Sequence, residues 1–395
     1  MKKNLTLHFC LHEMVHFAAS AGIVSFAATY LLGKGFPATL VGTILAGAGF
    51  LSCLTQPFLA SLADRASGNA LPAMMTALAV TSALCFGSLL LLPLPVWAVG
   101  ILYLLGYWSF DTIVPLMNSV SVYYQSHGIP INYGLARGTG SLAHSLSALL
   151  LGYLIALLGV DWMIIVVLLL LAVHIVLTLG YPKITAEAAS KATVRDESCS
   201  VGVFLKRYRW FCLSLLGILL MGMFLSMVES YMISIMERLG GDSSHVGTAL
   251  FIATIAEFPV LACIGRIRKR LADSTLLVIA AASYTLRSVL LLAAGSIPFL
   301  YGQQLLQMTS YAIMTPVQVY YTMSRVAPED MVKGQAFVSA AYALGCGFGN
   351  MAGGFLVENY GVAAMLRSGV LFTALGTLVL LFTVRKSDFQ TCEKL

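Results

Sequence analysis

The sequence predicts an all-helical membrane protein, with twelve transmembrane helices in two pseudo-symmetric six-helix bundles. Three observations carry that expectation. Of 395 residues, 59% are hydrophobic and 10% charged, against about 25% charged in soluble domains, which excludes an ordinary water-soluble enzyme. Apolar runs of roughly 20 residues, enough to cross a hydrocarbon core about 30 Å thick, recur along the whole chain. The two halves of the chain also match each other at one offset.

Cut where Gly, Pro or charge clusters intervene, the runs fall at about 5–32, 39–61, 70–92, 96–124, 134–158 and 162–181, then 211–238, 244–268, 272–295, 298–324, 334–358 and 362–384. The first run is interrupted by His8, His12, Glu13 and His16, whereas a signal peptide has a clean apolar core, so a retained first helix is expected. Between the sixth and seventh runs, Pro182 to Trp210 carries Lys183, Glu187, Lys191, Arg195, Asp196, Glu197, Lys206, Arg207 and Arg209. That stretch reads as a solvated linker. The expected organisation is a bundle over 1–181, a cytoplasmic linker over 182–210, and a second bundle over 211–395 with a short cytoplasmic tail.

With the N-terminus inside, all 23 Lys and Arg fall on the cytoplasmic side or its boundary except Lys34, Arg238, Arg367 and the intrahelical Arg287. The positive-inside rule then puts both termini in the cytoplasm of a cell-membrane protein. The net charge of +6 follows from these loops and does not indicate a nucleic-acid partner. Arg266, Arg268, Lys269 and Arg270 serve equally as a topology signal or as a contact for anionic headgroups. The eight cysteines have no C-x-x-C spacing, which gives neither a disulfide framework nor a zinc site.

The internal match has several parts. Gln56-Pro57 falls opposite Glu257-Phe258, Arg65 opposite Arg266, and Pro115 opposite Pro316, while Gly134 to Gly159 matches Gly334 to Gly361 with a two-residue slip. A common offset of about 200 residues argues for a duplicated six-helix unit, an arrangement in which transporters place a site at the interface of the repeats.

The second run ends Gln56-Pro57-Phe58-Leu59-Ala60-Ser61-Leu62-Ala63-Asp64-Arg65. It resembles the loop signature of the major facilitator superfamily, and in that family the acid and base, here Asp64 and Arg65, belong to a cytoplasmic gate. The family usually has Gly where Ala60 stands, and a basic run that is missing here beyond Gly68. Pro115 to Ser121, Tyr133 to Ser141, Ala256-Glu257-Phe258-Pro259 and Tyr284-Thr285-Leu286-Arg287 resemble the branch of proton-coupled lactose, nucleoside and phenylpropionate importers. The resemblance covers essentially the whole chain. It implies a central cavity, alternating access by rocking of the halves, and a single chain that completes its own site as a monomer. Antiporters of the superfamily carry a Gly-Pro-rich fifth helix, and the fifth run has no proline, which favours import over efflux.

A charge in a helix centre costs roughly 2.5–3.5 kcal/mol even on the lenient insertion scale, so intramembrane ionisable residues are functional candidates by default. Glu13, Asp111, Glu229, Glu257, Arg287 and Arg137 qualify. A carboxylate in a low-dielectric cavity is suited to loading and unloading a proton at physiological pH. Glu257 is the leading candidate for that role, and it lies where the resemblance puts a substrate-contacting carboxylate. A structural ion pair with Arg287 is the competing role for both. Arg137 matches the arginine that holds sugar hydroxyls in the lactose branch, and its planar five-donor fork suits hydroxyl or carboxylate recognition. Asn118, Gln303, Gln304 and Gln307 supply neutral hydrogen bonds, to a solute or between helices. The lactose branch has a His and a Glu in the tenth helix where this chain has Gln307 and Ser310. Either Glu257, Glu229, Asp111 or Glu13 takes the proton, or transport is not proton-coupled.

His12-Glu13-Met14-Val15-His16 matches H-E-x-x-H, the zinc-protease helix motif. No third ligand motif follows it, and a protease explains neither the repeat nor the gate signature. The reading preferred here is a stripe of His8, His12 and His16 facing the cavity, with imidazoles able to titrate near pH 6.5. Small residues at Gly345, Gly349 and Gly353, and at Ala136, Gly140, Ala148 and Gly152, are read as close helix packing. The functional expectation is a secondary transporter of a small polar organic solute, a nucleoside, sugar or aryl acid, imported with a proton and without any cofactor or metal. A drug or metabolite exporter of the same fold is the alternative.

Overall fold

The computed structural model describes residues 5–65, 70–182 and 200–384, and it is helical throughout. The helices are α1 (Leu5–Ser20), α2 (Ala27–Gly33), α3 (Ala38–Arg65), α4 (Ala70–Leu91), α5 (Val96–Asp111), α6 (Ile113–Ser126), α7 (Tyr133–Leu158) and α8 (Asp161–Leu179). After the linker come α9 (Val201–Arg207), α10 (Arg209–Ser230), α11 (Met232–Arg238), α12 (Ser243–Arg268), α13 (Asp273–Ala293), α14 (Ile297–Gln304), α15 (Tyr311–Arg325), α16 (Met331–Tyr360) and α17 (Val362–Thr383). Eleven stretches among the described residues are long and apolar enough to cross a membrane. The tenth expected span is interrupted, as α14, a 3-10 turn Leu305–Met308 and α15.

Interruptions fall in the first, fourth, seventh and tenth spans, at equivalent places in the two repeats. The first span passes through a π-helical turn, Ala21–Ser25, before α2. The fourth breaks at Thr112, whose hydroxyl bonds back to the Trp108 carbonyl at 2.7 Å. Pro115 there has no N–H to return to the Asp111 carbonyl, which is the standard cause of a kink. The seventh breaks at Tyr231, between α10 and α11. Non-helical backbone at membrane depth persists only where protein or a cavity covers it, so these four breaks are expected to be covered by neighbouring helices or to line a cavity.

The duplication appears in backbone detail too. Gly159 ends α7 at φ 93° and ψ 169°, and Gly361 ends α16 at φ 79° and ψ 168°. Positive φ at a helix end favours a residue without Cβ, which accounts for the paired glycines.

The chain forms two compact units. The first comprises residues 1–192 and 230–251, the second 193–229 and 252–395. In the first, Leu5, Phe9, Met75, Ala79, Ile113 and Met117 pack a core between α1, α4 and α6. Segment 230–251 joins this unit through specific contacts: Tyr231 donates to the Ala38 carbonyl at 3.0 Å, and Ser243 to the Gly152 carbonyl at 3.1 Å. A Cβ on Gly152 would run into Gly247, so the two backbones meet there through glycine. In the second unit α16 lies as closely on α10, where Gly345 and Gly349 face the Leu219 and Met223 carbonyls. Outward-facing Leu54, Leu84, Leu150, Leu169 and Val176 are 63–76% exposed, as lipid-facing side chains are. Of the expected linker, residues 183–199 lie outside the described residues.

Candidate functional site

Among the described residues, each unit carries a cluster that brings several of the candidate residues together inside apolar helices. In the second, Pro259 interrupts the hydrogen bonding of α12 beside Glu257, and the 3-10 turn places Gln307 opposite it. Gln307 Nε2 donates to Glu257 Oε1 at 3.1 Å. Arg287, on α13, is 1% exposed. Its Nη2 donates to Gln304 Oε1 at 2.8 Å, while Gln303 Nε2 donates to the Arg287 carbonyl at 3.2 Å. Arg287 Nε and Nη1 have no hydrogen-bond partner among the described residues, nor have the Oε1 atoms of Gln303 and Gln307.

Glu229, the penultimate residue of α10, and Glu257 both lie within electrostatic reach of Arg287. The direct Glu257–Arg287 ion pair weighed from the sequence is not formed, because amides occupy the contact positions: Gln304 takes the guanidinium and Gln307 the carboxylate. A permanently charged guanidinium is thus buried with two donors unpartnered among the described residues, beside unpartnered amide oxygens and in the field of two carboxylic side chains. Such a set suits a solute bearing hydroxyls. Tyr284, Tyr311, Tyr342, Thr315 and Gln318 line a cavity of about 50 Å³ in this unit, far below the roughly 300–1,000 Å³ of a small-molecule pocket. That cavity is not by itself a solute site.

In the first unit the cluster gathers along α1. Arg137 Nη1 stands 3.9 Å from Glu13 Oε2, with Arg137 45% exposed and Glu13 3%. The guanidinium stacks on the Phe17 ring at 3.9 Å. That pairing joins two residues which the sequence singles out separately. The histidines do not face a cavity as expected. His12 and His16 are buried, and their stripe packs against α8. His12 Nδ1 meets the Tyr181 hydroxyl and Nε2 the Thr178 hydroxyl, each at 3.0 Å. His16 stacks on Phe110 at 4.3 Å, and His8 Nε2 bonds the Leu177 carbonyl at 2.8 Å. The packing face wins because α8 brings its own histidine, His174, to 4.3 Å from the His12 ring.

The remaining candidates are dispersed. Asp111, half-buried, ends α5 beside Ser52, and Asn118 accepts from the Tyr133 hydroxyl at 2.9 Å. Asp64 and Arg65 close α3, and their side chains lie outside what the structure describes. No group of three or more metal-ligating side chains with suitable geometry occurs among the described residues, so H-E-x-x-H is not assembled into a zinc site there. Sequence reasoning missed His174, Tyr181 and His144, the last of which bonds Ser20 at 2.9 Å and Ser25 at 3.3 Å across the π turn. The available signal for His174 was a titratable residue in the interior of an otherwise apolar span.

The MFS_1 like family model matches residues 7–367. The maltose permease of Geobacillus stearothermophilus is 28% identical over 293 residues, 72% of this chain and 71% of that protein. The crystal structure of the nucleoside transporter NupG superposes with a TM-score of 0.80 at 14% identity, covering 97% of this chain and 98% of that one. A D-xylose–proton symporter superposes with a TM-score of 0.72 at 14% identity, covering 97% of each. At these identities the two structures establish a common fold.

Proposed function

The chain belongs to the MFS_1 like family, and from that premise we propose that it imports a small hydroxylated solute of sugar or nucleoside type together with a proton, by alternating access. Membership makes it a multi-pass membrane transporter and not an enzyme. The observation that carries the solute class is the second unit's cluster: buried Arg287 with two open nitrogens, Glu257, and three glutamines in and beside an interrupted span. Hydroxyl groups satisfy such a mixture of donors and acceptors without bringing in charge. The relatives that transport maltose, nucleosides and xylose support the same class.

In the proposed cycle Glu257 loads a proton, Arg287 and Arg137 hold solute oxygens, and Glu229, Asp111, Asn118 and Gln307 complete the polar lining. Asp64 and Arg65 gate the cytoplasmic side. The protein works as a monomer in the cell membrane with both termini cytoplasmic, and uses no cofactor beyond the coupling proton. Uptake of labelled uridine, adenosine, maltose, xylose and an arylpropionate by cells expressing the protein tests this reading. Accumulation of a sugar or nucleoside that collapses with a protonophore is the expected outcome. Uptake of the aryl acid alone would overturn the solute class, and reduced accumulation of the panel would reverse the direction.

A further inference from the structure

Four of the seven histidines, His8, His12, His16 and His174, lie along the seam of α1 and α8. A histidine kept for packing finds partners for its ring nitrogens, as His12 does between Tyr181 and Thr178. His16 and His174 differ. Each is at most 1% exposed, all four of their ring nitrogens are buried without a hydrogen-bond partner among the described residues, and the ring centres are 5.3 Å apart. A neutral imidazole always keeps one lone-pair nitrogen. The two rings make no N···N hydrogen bond as they stand, and a turn of either ring about its Cβ–Cγ bond is what lets them share one proton as an N–H⁺···N pair.

The charges around the pair decide when a proton is held. On α1, Glu13 lies one turn before His16, and the His12 ring is 4.3 Å from that of His174. From α7 the Arg137 charge acts on His16, and from α5 the Phe110 ring stacks on it, with Asp111 next in sequence beside Ser52. Farther out, Tyr133 and His144 lie in the field of Arg137, and Tyr181, beside Tyr124, in that of Glu13. Glu13 and Arg137 cancel while they are paired. Their contact is loose, at 3.9 Å, with Glu13 Oε2 making no hydrogen bond among the described residues and Arg137 nearly half exposed. A solute oxygen that takes the guanidinium leaves a buried carboxylate without its counter-charge, an unfavourable state. A proton on the neighbouring imidazoles restores neutrality.

We propose that His16 and His174 form a second proton-binding site, filled when Arg137 is drawn off Glu13 and emptied when it returns. The proton comes from water and goes back to it, with an N–H bond made on entry and broken on exit. The proposal rests on the transport reading only for what draws Arg137 away.

The test is solute-free. Full-length protein carrying nitrogen-15 histidine is placed in lipid nanodiscs, and its imidazole signals are followed by NMR from about pH 8 to pH 5, the range histidines ordinarily titrate through. Arg137→Gln stands in for the displaced arginine. The expected result is one imidazolium more than wild type near pH 7, lost again in Arg137→Gln combined with Glu13→Gln, and lost with His174→Asn. If Arg137→Gln does not fold, the wild type is compared with Glu13→Gln, and His16 and His174 should take up their proton at higher pH in the wild type. Histidine signals unchanged by these substitutions would overturn the proposal and leave both residues as packing groups. Uptake assayed in parallel separates the two readings. Absent uptake with the extra imidazolium present would count against transport alone, and normal uptake with silent histidines against this site alone.

Discussion

Arg287 and Arg137 occupy opposite regimes. The first is 1% exposed, with its charge fixed among amides, and the second is 45% exposed, held by an aromatic ring and a distant carboxylate. A buried guanidinium costs several kcal/mol unless its hydrogen bonds are made, and Arg287 makes one through Gln304 while Nε and Nη1 stay open among the described residues, so Gln304 is what holds it in place. Arg137 has no such enclosure. The first arginine depends on its buried neighbours, and the second is held by two looser contacts.

The sharpest way to break this contrast is to remove the amide that holds the fixed arginine. Gln304→Leu leaves Arg287 without its side-chain hydrogen bond, and a loss of about 3 kcal/mol or more is expected, read as reduced membrane yield and a lower unfolding midpoint in detergent. Wild-type yield and midpoint would show that Arg287 does not depend on Gln304. A close second is Gly349→Leu, which drives a side chain into the Met223 carbonyl. Loss of folded protein is expected, and unchanged yield with unchanged transport would count against tight α10–α16 packing.

Lysine substitution sharpens the comparison. Arg287→Lys loses the planar fork and should lower uptake at least about tenfold, whereas Arg137→Lys keeps a charge near Glu13 and should lower it by less. Equal effects at the two sites would erase the distinction. Glu257→Gln should abolish accumulation against a gradient while solute exchange continues, and uphill uptake at the native rate would remove Glu257 from coupling.

The smallest effect lies outside both clusters. Asp242, in the loop before α12, accepts from the Ser244 hydroxyl, with further bonds from the His245 ring and the Ser244 and His245 amides, and is held down at about 2. A depressed carboxylate stabilises the fold above its unfolded value near 3.8 and loses that contribution as pH falls toward 2. Its side chain is 57% exposed, so solvent screens the effect. Asp242→Asn should therefore narrow the difference in unfolding midpoint between about pH 5 and pH 2 only slightly. A large change would mean that this loop carries more of the stability than its exposure allows.

The spans and the duplication were legible because each rests on local pattern: apolar length for the helices, and the Gly159 and Gly361 ends for the repeat. The individual candidates Glu13, Arg137, Glu257 and Arg287 were legible because charge in an apolar run is conspicuous. Their pairing was not. Glu13 meets Arg137, and His12 meets His174, across well over a hundred residues of chain, a relation that no periodicity encodes. The 3-10 turn at Leu305–Met308 was equally hidden. Pro316, the visible breaker in that span, sits inside α15, and the break occurs upstream, where Gln307 turns toward Glu257.

Proteoliposomes containing the purified chain, given an imposed inward proton gradient, test the central claim most directly. With labelled maltose or uridine outside, one of the two should rise above its external concentration while the gradient lasts and fall back when a protonophore dissipates it. Equilibration to the same level with and without the gradient, or accumulation only under an outward gradient, would contradict proton-driven import.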